Sequence, residues 1–195
     1  MKNLQVRTYS DLATEPVTLA EAKLFLKVTG TEEDSLITDL ITSARRMLEK
    51  YTSSSFGTKT LHATWVEPTA DDLYELPYGP HRSVDHVYRI DAEGTETAQT
   101  VNVDYWIRGD QDFYITIGKK WSTGYPVSTD SLRVEYTAGY GGTTTEALPD
   151  ELKVAILKQV ATDYELRENI SLSGGTVLSN ESKTLANPYR RKLWL

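Results

Sequence analysis

Residues Val134 to Ile156, VEYTAGYGGTTTEALPDELKVAI, set a β-rich run, a glycine-rich turn and a helix-forming run in the order from which phosphate and dinucleotide loops are built. The details argue against that chemistry. A phosphate loop of the Gly-x-x-x-x-Gly-Lys-Ser/Thr type needs a lysine after its last glycine, and none follows Gly141 or Gly142. The dinucleotide fingerprint needs a third glycine where Thr144 and Thr145 stand. Asp150 and Glu151 put two carboxylates at the helix start, where they would repel a bound anion. The glycines therefore read as a corner that needs positive φ. Pro149 reads as the first helical residue.

The other residues with chemical potential are as weakly arranged. His62, His81 and His86 are the only histidines, and no His-x-x-x-His or Glu-x-x-His spacing joins them. His81 and His86 flank Asp85, but surface or packing roles suit them better than ligation. Asp71, Asp72 and Glu75, or Asp110 and Asp112, could pair as the two carboxylates of a glycosidase. They fall in turns, where Asp is favoured for local hydrogen bonding. The serines build no Gly-x-Ser-x-Gly elbow. Arg108-Gly109-Asp110 spells an adhesion tripeptide and reads as a turn. No catalytic residue, cofactor site or metal site is expected.

Composition narrows the classes further. The chain has 195 residues, 39% hydrophobic and 25% charged, enough for one domain with a real core. Lys and Arg number 21 against 28 Asp and Glu, a formal net charge of −7. Gripping nucleic acid across the whole surface is not expected of such a chain. The absence of cysteine removes disulfides, thiolate nucleophiles and Cys-ligated zinc, and suits a reducing cytoplasm. No apolar run approaches the roughly 20 residues of a membrane helix, and the first residues lack a signal-peptide core.

The elements that would position any site divide by periodicity. Thr18 and Glu21 have capping-box spacing ahead of the stripe Leu19, Ala22, Phe25 and Leu26, and Gly30 is the expected stop. A second helix is predicted from about Glu32 to Thr52, with Leu36, Ile37, Leu40, Ile41, Ala44, Leu48 and Tyr51 recurring at three- and four-residue steps. Its charged face carries Glu32, Asp34 and Asp39 near the start and Arg45, Arg46 and Lys50 near the end, as the helix dipole favours. These six are the candidate subunit contacts, if the face is not simply solvated. From about Lys59 to Ala138, TLHATWVE, DLYELP, SVDHVYRI, TVNVDYWIR, FYITIG and LRVEYTA read as strands joined by short links, hence antiparallel. A third helix is predicted over about Pro149 to Glu168. Helices first, then an antiparallel sheet, then a helix is an α+β arrangement rather than alternating βαβ.

The expected division is a single domain over residues 1–170 and an arm over 171–195. The arm holds a Ser/Gly stretch, a short helix near Asn180 to Ala186 and a basic, aromatic tip. Trp, Tyr and Arg dominate interface hot spots, so that tip reads as an anchor for a protein partner more than for nucleic acid. Removing residues 179–195 is expected to leave the fold intact.

Three stretches resemble one family. PVTLAEAKLFLKVTGTEEDSLITDLITSARRMLEKYT is similar to the N-terminal signature of tailed-phage head–tail connector proteins, the head-completion or adaptor proteins beneath the portal. VEYTAGYGG followed by LPDELKVAILKQVATDYELREN resembles their turn into the last long helix, and LANPYRR resembles their ending. The resemblance covers about half the chain and matches the β region only in outline. It implies a non-enzymatic virion protein, made in the host bacterial cytoplasm. Such a protein forms a homo-oligomeric ring, a dodecamer, beneath the portal protein. The ring extends the channel through which double-stranded DNA passes without specific binding, and carries a stopper or tail-completion protein. It implies that Leu185, Pro188, Tyr189, Arg190, Arg191 and Trp194 dock the arm on the portal. The alternatives are another neck or tail-completion protein, or a phage-borne hydrolase using acids.

Overall fold

The computed structural model describes residues 4–68, 73–109, 112–118, 131–141, 147–166 and 177–191. Strand β1 (Leu4–Ser10) leads into helices α1 (Leu19–Leu26) and α2 (Asp34–Thr52). Strands β2 (Lys59–Val66), β3 (Leu73–Glu75), β4 (His81–Ile90), β5 (Glu96–Ala98), β6 (Tyr105–Arg108), β7 (Tyr114–Ile117) and β8 (Ser131–Ala138) follow. Helices α3 (Asp150–Glu165) and α4 (Asn180–Ala186) and a 3-10 turn (Asn187–Tyr189) complete the order. The fold is α+β.

One sheet has five strands in the order β1-β2-β8-β4-β5 and the other three in the order β3-β7-β6. Every pairing within them is antiparallel. β2 and β8 alternate strictly, so Leu61, Ala63 and Trp65 face inward beside Leu132, Val134 and Tyr136. They meet Tyr74, Ile115 and Ile117 of the smaller sheet in one apolar core. Trp65 packs edge-on against Tyr74 at 5.4 Å between ring centres. A second core joins the helices: Ile37, Ile41 and Leu48 of α2 pack with Leu152, Ile156 and Val160 of α3 and Ala186 of α4. Each such aliphatic side chain contributes about 1.5–3 kcal/mol on burial.

The α1 capping box is present in full. The Thr18 N–H donates to Glu21 at 2.7 Å and the Glu21 N–H to the Thr18 hydroxyl at 3.2 Å. The stop differs from the expectation. α1 ends at Leu26, and Lys27 rather than Gly30 takes the left-handed cap, with φ of 60°. The stretch 101–108 is not one strand. The Asp104 carboxylate accepts the Thr100 N–H at 2.9 Å and Asn102 takes φ of 62°, so the chain turns before β6 begins at Tyr105. α3 starts at Asp150, with Pro149 as its N-cap rather than its first helical residue. Two strands carry too little sequence signal to be marked: β1, polar on one side and mostly exposed, and β5, only three residues long.

Candidate functional site

The glycine corner is spent on the fold. Gly139 and Gly141 take φ of 117° and 83°, and a Cβ on Gly139 would meet the Gly57 carbonyl oxygen at 1.8 Å. The Gly139 N–H donates to the Pro80 carbonyl at 2.7 Å. Arg82 donates to the Gly139 and Tyr140 carbonyls at 3.0 and 3.1 Å. The loop thereby ties the β8 end to β4 and to the segment after α2. Gly142, Thr144 and Thr145 lie outside the described residues.

The histidines do not converge. His81 is buried; its Nδ1 accepts the Phe113 N–H at 3.0 Å, so Nε2 carries the proton given to the Pro77 carbonyl at 3.2 Å. His62 lies on the outer sheet face, stacked on Tyr9 and 3.6 Å from Glu135. His86 sits beside Tyr88. Asp85 accepts from the Ser83 and Thr137 hydroxyls rather than joining a histidine pair. Among the described residues no group of three His, Cys, Asp or Glu could hold a metal ion. Asp71, Asp72 and Asp110 lie outside the described residues.

The C-terminal segment is where the candidate docking residues gather. Residues 177–191 lie on the helices rather than projecting from them. The Ser179 hydroxyl caps α4 by accepting the Ser182 N–H at 3.1 Å, and the buried Ser182 hydroxyl donates to the Ala155 carbonyl of α3 at 3.0 Å. Ala186 is fully buried, and Leu185 and Tyr189 pack against the helical core. The Tyr189 hydroxyl donates to Glu151 at 2.9 Å, and the Glu151 backbone N–H, followed by this hydroxyl, holds the Glu151 carboxyl below its usual range. The Arg191 N–H donates to the Thr52 carbonyl at 2.8 Å, and its guanidinium pairs with Asp112. Burial pulls the Arg191 guanidinium down, and nearby Glu75 partly offsets that. Pro188 and Arg190 are exposed, Arg190 over the Tyr51 ring at 5.3 Å. Trp194 lies outside the described residues. Removing residues 179–195 would therefore uncover part of the α2–α3 core, which weighs against the expectation that the segment is dispensable for folding.

The six candidate contact residues, five on α2 and Glu32 just before it, divide. Glu32, Asp39, Arg46 and Lys50 are exposed, and Asp34 is half-buried and bound by Lys23 at 2.5 Å. Arg45 is 1% exposed. It donates to Glu15 at 2.6 and 3.0 Å and to Glu49 at 2.9 Å. Lys59 donates to Glu49 at 2.6 Å, and Asp11 accepts from Arg46 at 2.9 Å. Arg45 is therefore an internal residue that welds the segment after β1 to α2, and this subunit does not offer it to a neighbour. Burial alone would lower the Arg45 guanidinium, but Glu15, Glu49 and Asp11 outweigh it and raise it. Burial likewise opposes ionisation of Asp11, yet the Leu12 N–H, Arg46, Lys59 and Arg45 hold it far below the carboxylate range. The sequence does contain a signal for this cluster. Arg45 lies four residues after Ile41 and three before Leu48, inside the apolar stripe, with Glu49 one turn on.

With this geometry, the chain offers no assembled catalytic group among its described residues, and it seats a C-terminal segment across its helices. A family model described as head completion protein matches residues 15–191. The chain belongs to the head completion protein family. Its family description assigns it to the completion of a virion head. Solved structures share its fold over nearly the whole length. A chain from "Virion of native gene transfer agent (GTA) particle" is 19% identical, with a TM-score of 0.74, covering 98% of this chain and 97% of that one. A chain from "Neck of empty GTA particle computed with C6 symmetry" is 20% identical at a TM-score of 0.73, with the same coverages. One from "Neck of native GTA particle computed with C12 symmetry" is 19% identical at 0.72, again with the same coverages. No curated protein matches the chain. Among the described residues of this head completion protein, no helix is long and apolar enough to cross a membrane.

Proposed function

We propose that this head completion protein is a head–tail connector subunit. In this reading it forms a homo-oligomeric ring, a dodecamer, beneath the portal protein, extends the DNA channel, and presents a platform to a stopper or tail-completion protein. The observation that carries the reading is full-length fold similarity to chains of a particle neck, joined to membership of the family. The role is structural, with no catalytic step.

The physical features fit that role. A net charge of −7 suits a channel wall along which DNA slides, because clustered cations would hold its phosphates. A ring needs two different patches of each subunit to meet. Glu32, Asp34 and Asp39 at one end of α2 and Arg46 and Lys50 at the other are opposite in sign and supply such a pair. Portal docking falls to the exposed Pro188 and Arg190 and to the chain after Arg191, which includes Trp194. Leu185, Tyr189 and Arg191 anchor that segment to its own subunit.

Co-sedimentation with purified portal-bearing, DNA-filled heads that lack the connector tests the reading. The full chain is expected to sediment with the heads, and a chain ending at Arg191 to stay in the supernatant while remaining folded. A truncated chain that binds like the full one would remove the tip from the docking role. A folded full chain that binds only after a ring has been added would make it a later neck component.

A further inference from the structure

We propose that the outer edge of β1, with the cleft beside it, receives an added β-strand from an extended acidic segment of a partner protein. The cleft shares Arg46 and Lys50 with the ring contacts proposed above, so the two uses of this surface exclude one another and the test reads the free chain.

The five-stranded sheet has two unlike edges. At one, β5 is three residues long and β4 is irregular in register between His81 and Ser83 and between Val84 and His86. Short strands and bulges are how sheets discourage further pairing. At the other, β1 runs from Leu4 to Ser10, pairs only with β2, and holds its register from Leu4 to Thr8. It contains neither proline nor lysine. Its outward backbone groups have no strand partner among the described residues.

A cleft of about 340 Å³ opens beside this edge, lined on the strand side by Val6 and Thr8. Those residues pair in register with Ala63 and Leu61, so they belong to the inward face of the sheet. A strand added about 4.8 Å beyond β1 would alternate its side chains in the same sense. Every second residue would then stand at the mouth of the cleft. Backbone pairing supplies affinity in this mode of recognition, and the pocket for alternate side chains supplies choice.

The charges of the cleft select the partner. Its wall carries the cations Arg46, Lys50 and Lys59 and the carboxylates Asp11 and Glu49. Both carboxylates are consumed: Glu49 accepts from Arg45, Lys59 and the Phe56 N–H, and Asp11 from Arg46 and the Leu12 N–H. Lys50 is exposed and has no ion-pair partner among the described residues. Tyr78 also lines the cleft, and burial, followed by the nearby Glu49 charge, raises its phenol above the ordinary value. It therefore stays a hydrogen-bond donor at neutral pH. The exposed Lys50 ammonium and the Tyr78 phenol donor favour a Glu or Asp side chain entering from the added strand.

The test is an amide-resolved NMR titration of the full chain with synthetic strand peptides of alternating Val and Glu, or of alternating Val and Lys. The Glu peptide should shift the amides of residues 4–10 and those around Lys50 and Tyr78. The Lys peptide should bind at least tenfold more weakly. Methylating alternate backbone nitrogens of the Glu peptide should abolish the shifts, and Lys50→Glu should reverse the preference between the peptides. No shifts at millimolar peptide, shifts elsewhere, or equal affinity for both peptides would overturn the proposal.

Discussion

Arg45 concentrates the stability of the junction between the first strand and α2. Three carboxylates surround it, and Lys59 shares two of them, Asp11 and Glu49. Removing one partner of a buried ionic cluster leaves the others uncompensated, at a cost of about 3–5 kcal/mol. Arg45→Ala is expected to lower the unfolding free energy by about 3 kcal/mol or more in a urea titration, with the m-value unchanged. The carboxyls of Asp11 and Asp163 give opposite pH signatures. Asp11 is held below the unfolded value of about 3.9, so the stability it contributes is present above that pH and fades as acid is added. Asp11→Asn should lose stability at pH 7 and show a flatter acid limb in thermal melts. Asp163 is buried on α3; burial raises its carboxyl, opposed by the amide of Gln159 at 2.9 Å, and its second oxygen has no hydrogen-bond partner among the described residues. The folded form therefore holds its proton longer than the unfolded one. Stability falls as pH rises from about 3.9 through the raised folded value, and the penalty is complete above it. Asp163→Asn should raise stability at pH 8 by about 1 kcal/mol and change little at pH 4.

At the scale of elements, periodicity was a good guide wherever a face is buried on one side. The stripes of α2 and α3 and the alternation of β2 and β8 follow the spacing of their apolar residues. α4 also lies where its sequence puts a short helix, at Asn180 to Ala186. What the pattern could not show is what each face meets. Ser182 and Ala186 do not announce burial, because small residues are common on either side of a helix, and only the close approach of α3 buries them. β1 was illegible for a similar reason. Its single inward row, Leu4, Val6 and Thr8, is too short and too polar to stand out before β2 is beside it. The seat of α4 gives a direct prediction. A chain ending at Val177 should lose cooperative unfolding or a large part of its stability, whereas one ending at Arg191 should melt like the full chain. Equal melting curves for the two would contradict the packing. Gly139→Ala should cost more than about 1 kcal/mol, because both its positive φ and the Gly57 carbonyl exclude a Cβ.

At the scale of the whole molecule, the two cores form a body without an assembled catalytic group among its described residues. In the reading proposed above, the surfaces that act are the charged ends of α2, the C-terminal segment and the edge of β1. The sequence carried enough to name the family resemblance, because the three matching stretches fall on α1–α2, on the corner into α3 and on the segment after α4. It placed Arg45 inside the apolar stripe of α2 but did not reveal its partners Asp11 and Glu15, or that the final segment lies on its own helices, since both depend on residues distant in the chain. Electron microscopy of connector-free, DNA-filled heads after this protein is added decides whether the protein sits under the portal. A connector subunit should give a ring of new density beneath the portal with twelve-fold symmetry. Folded protein added in excess with no density at that site would contradict the connector reading.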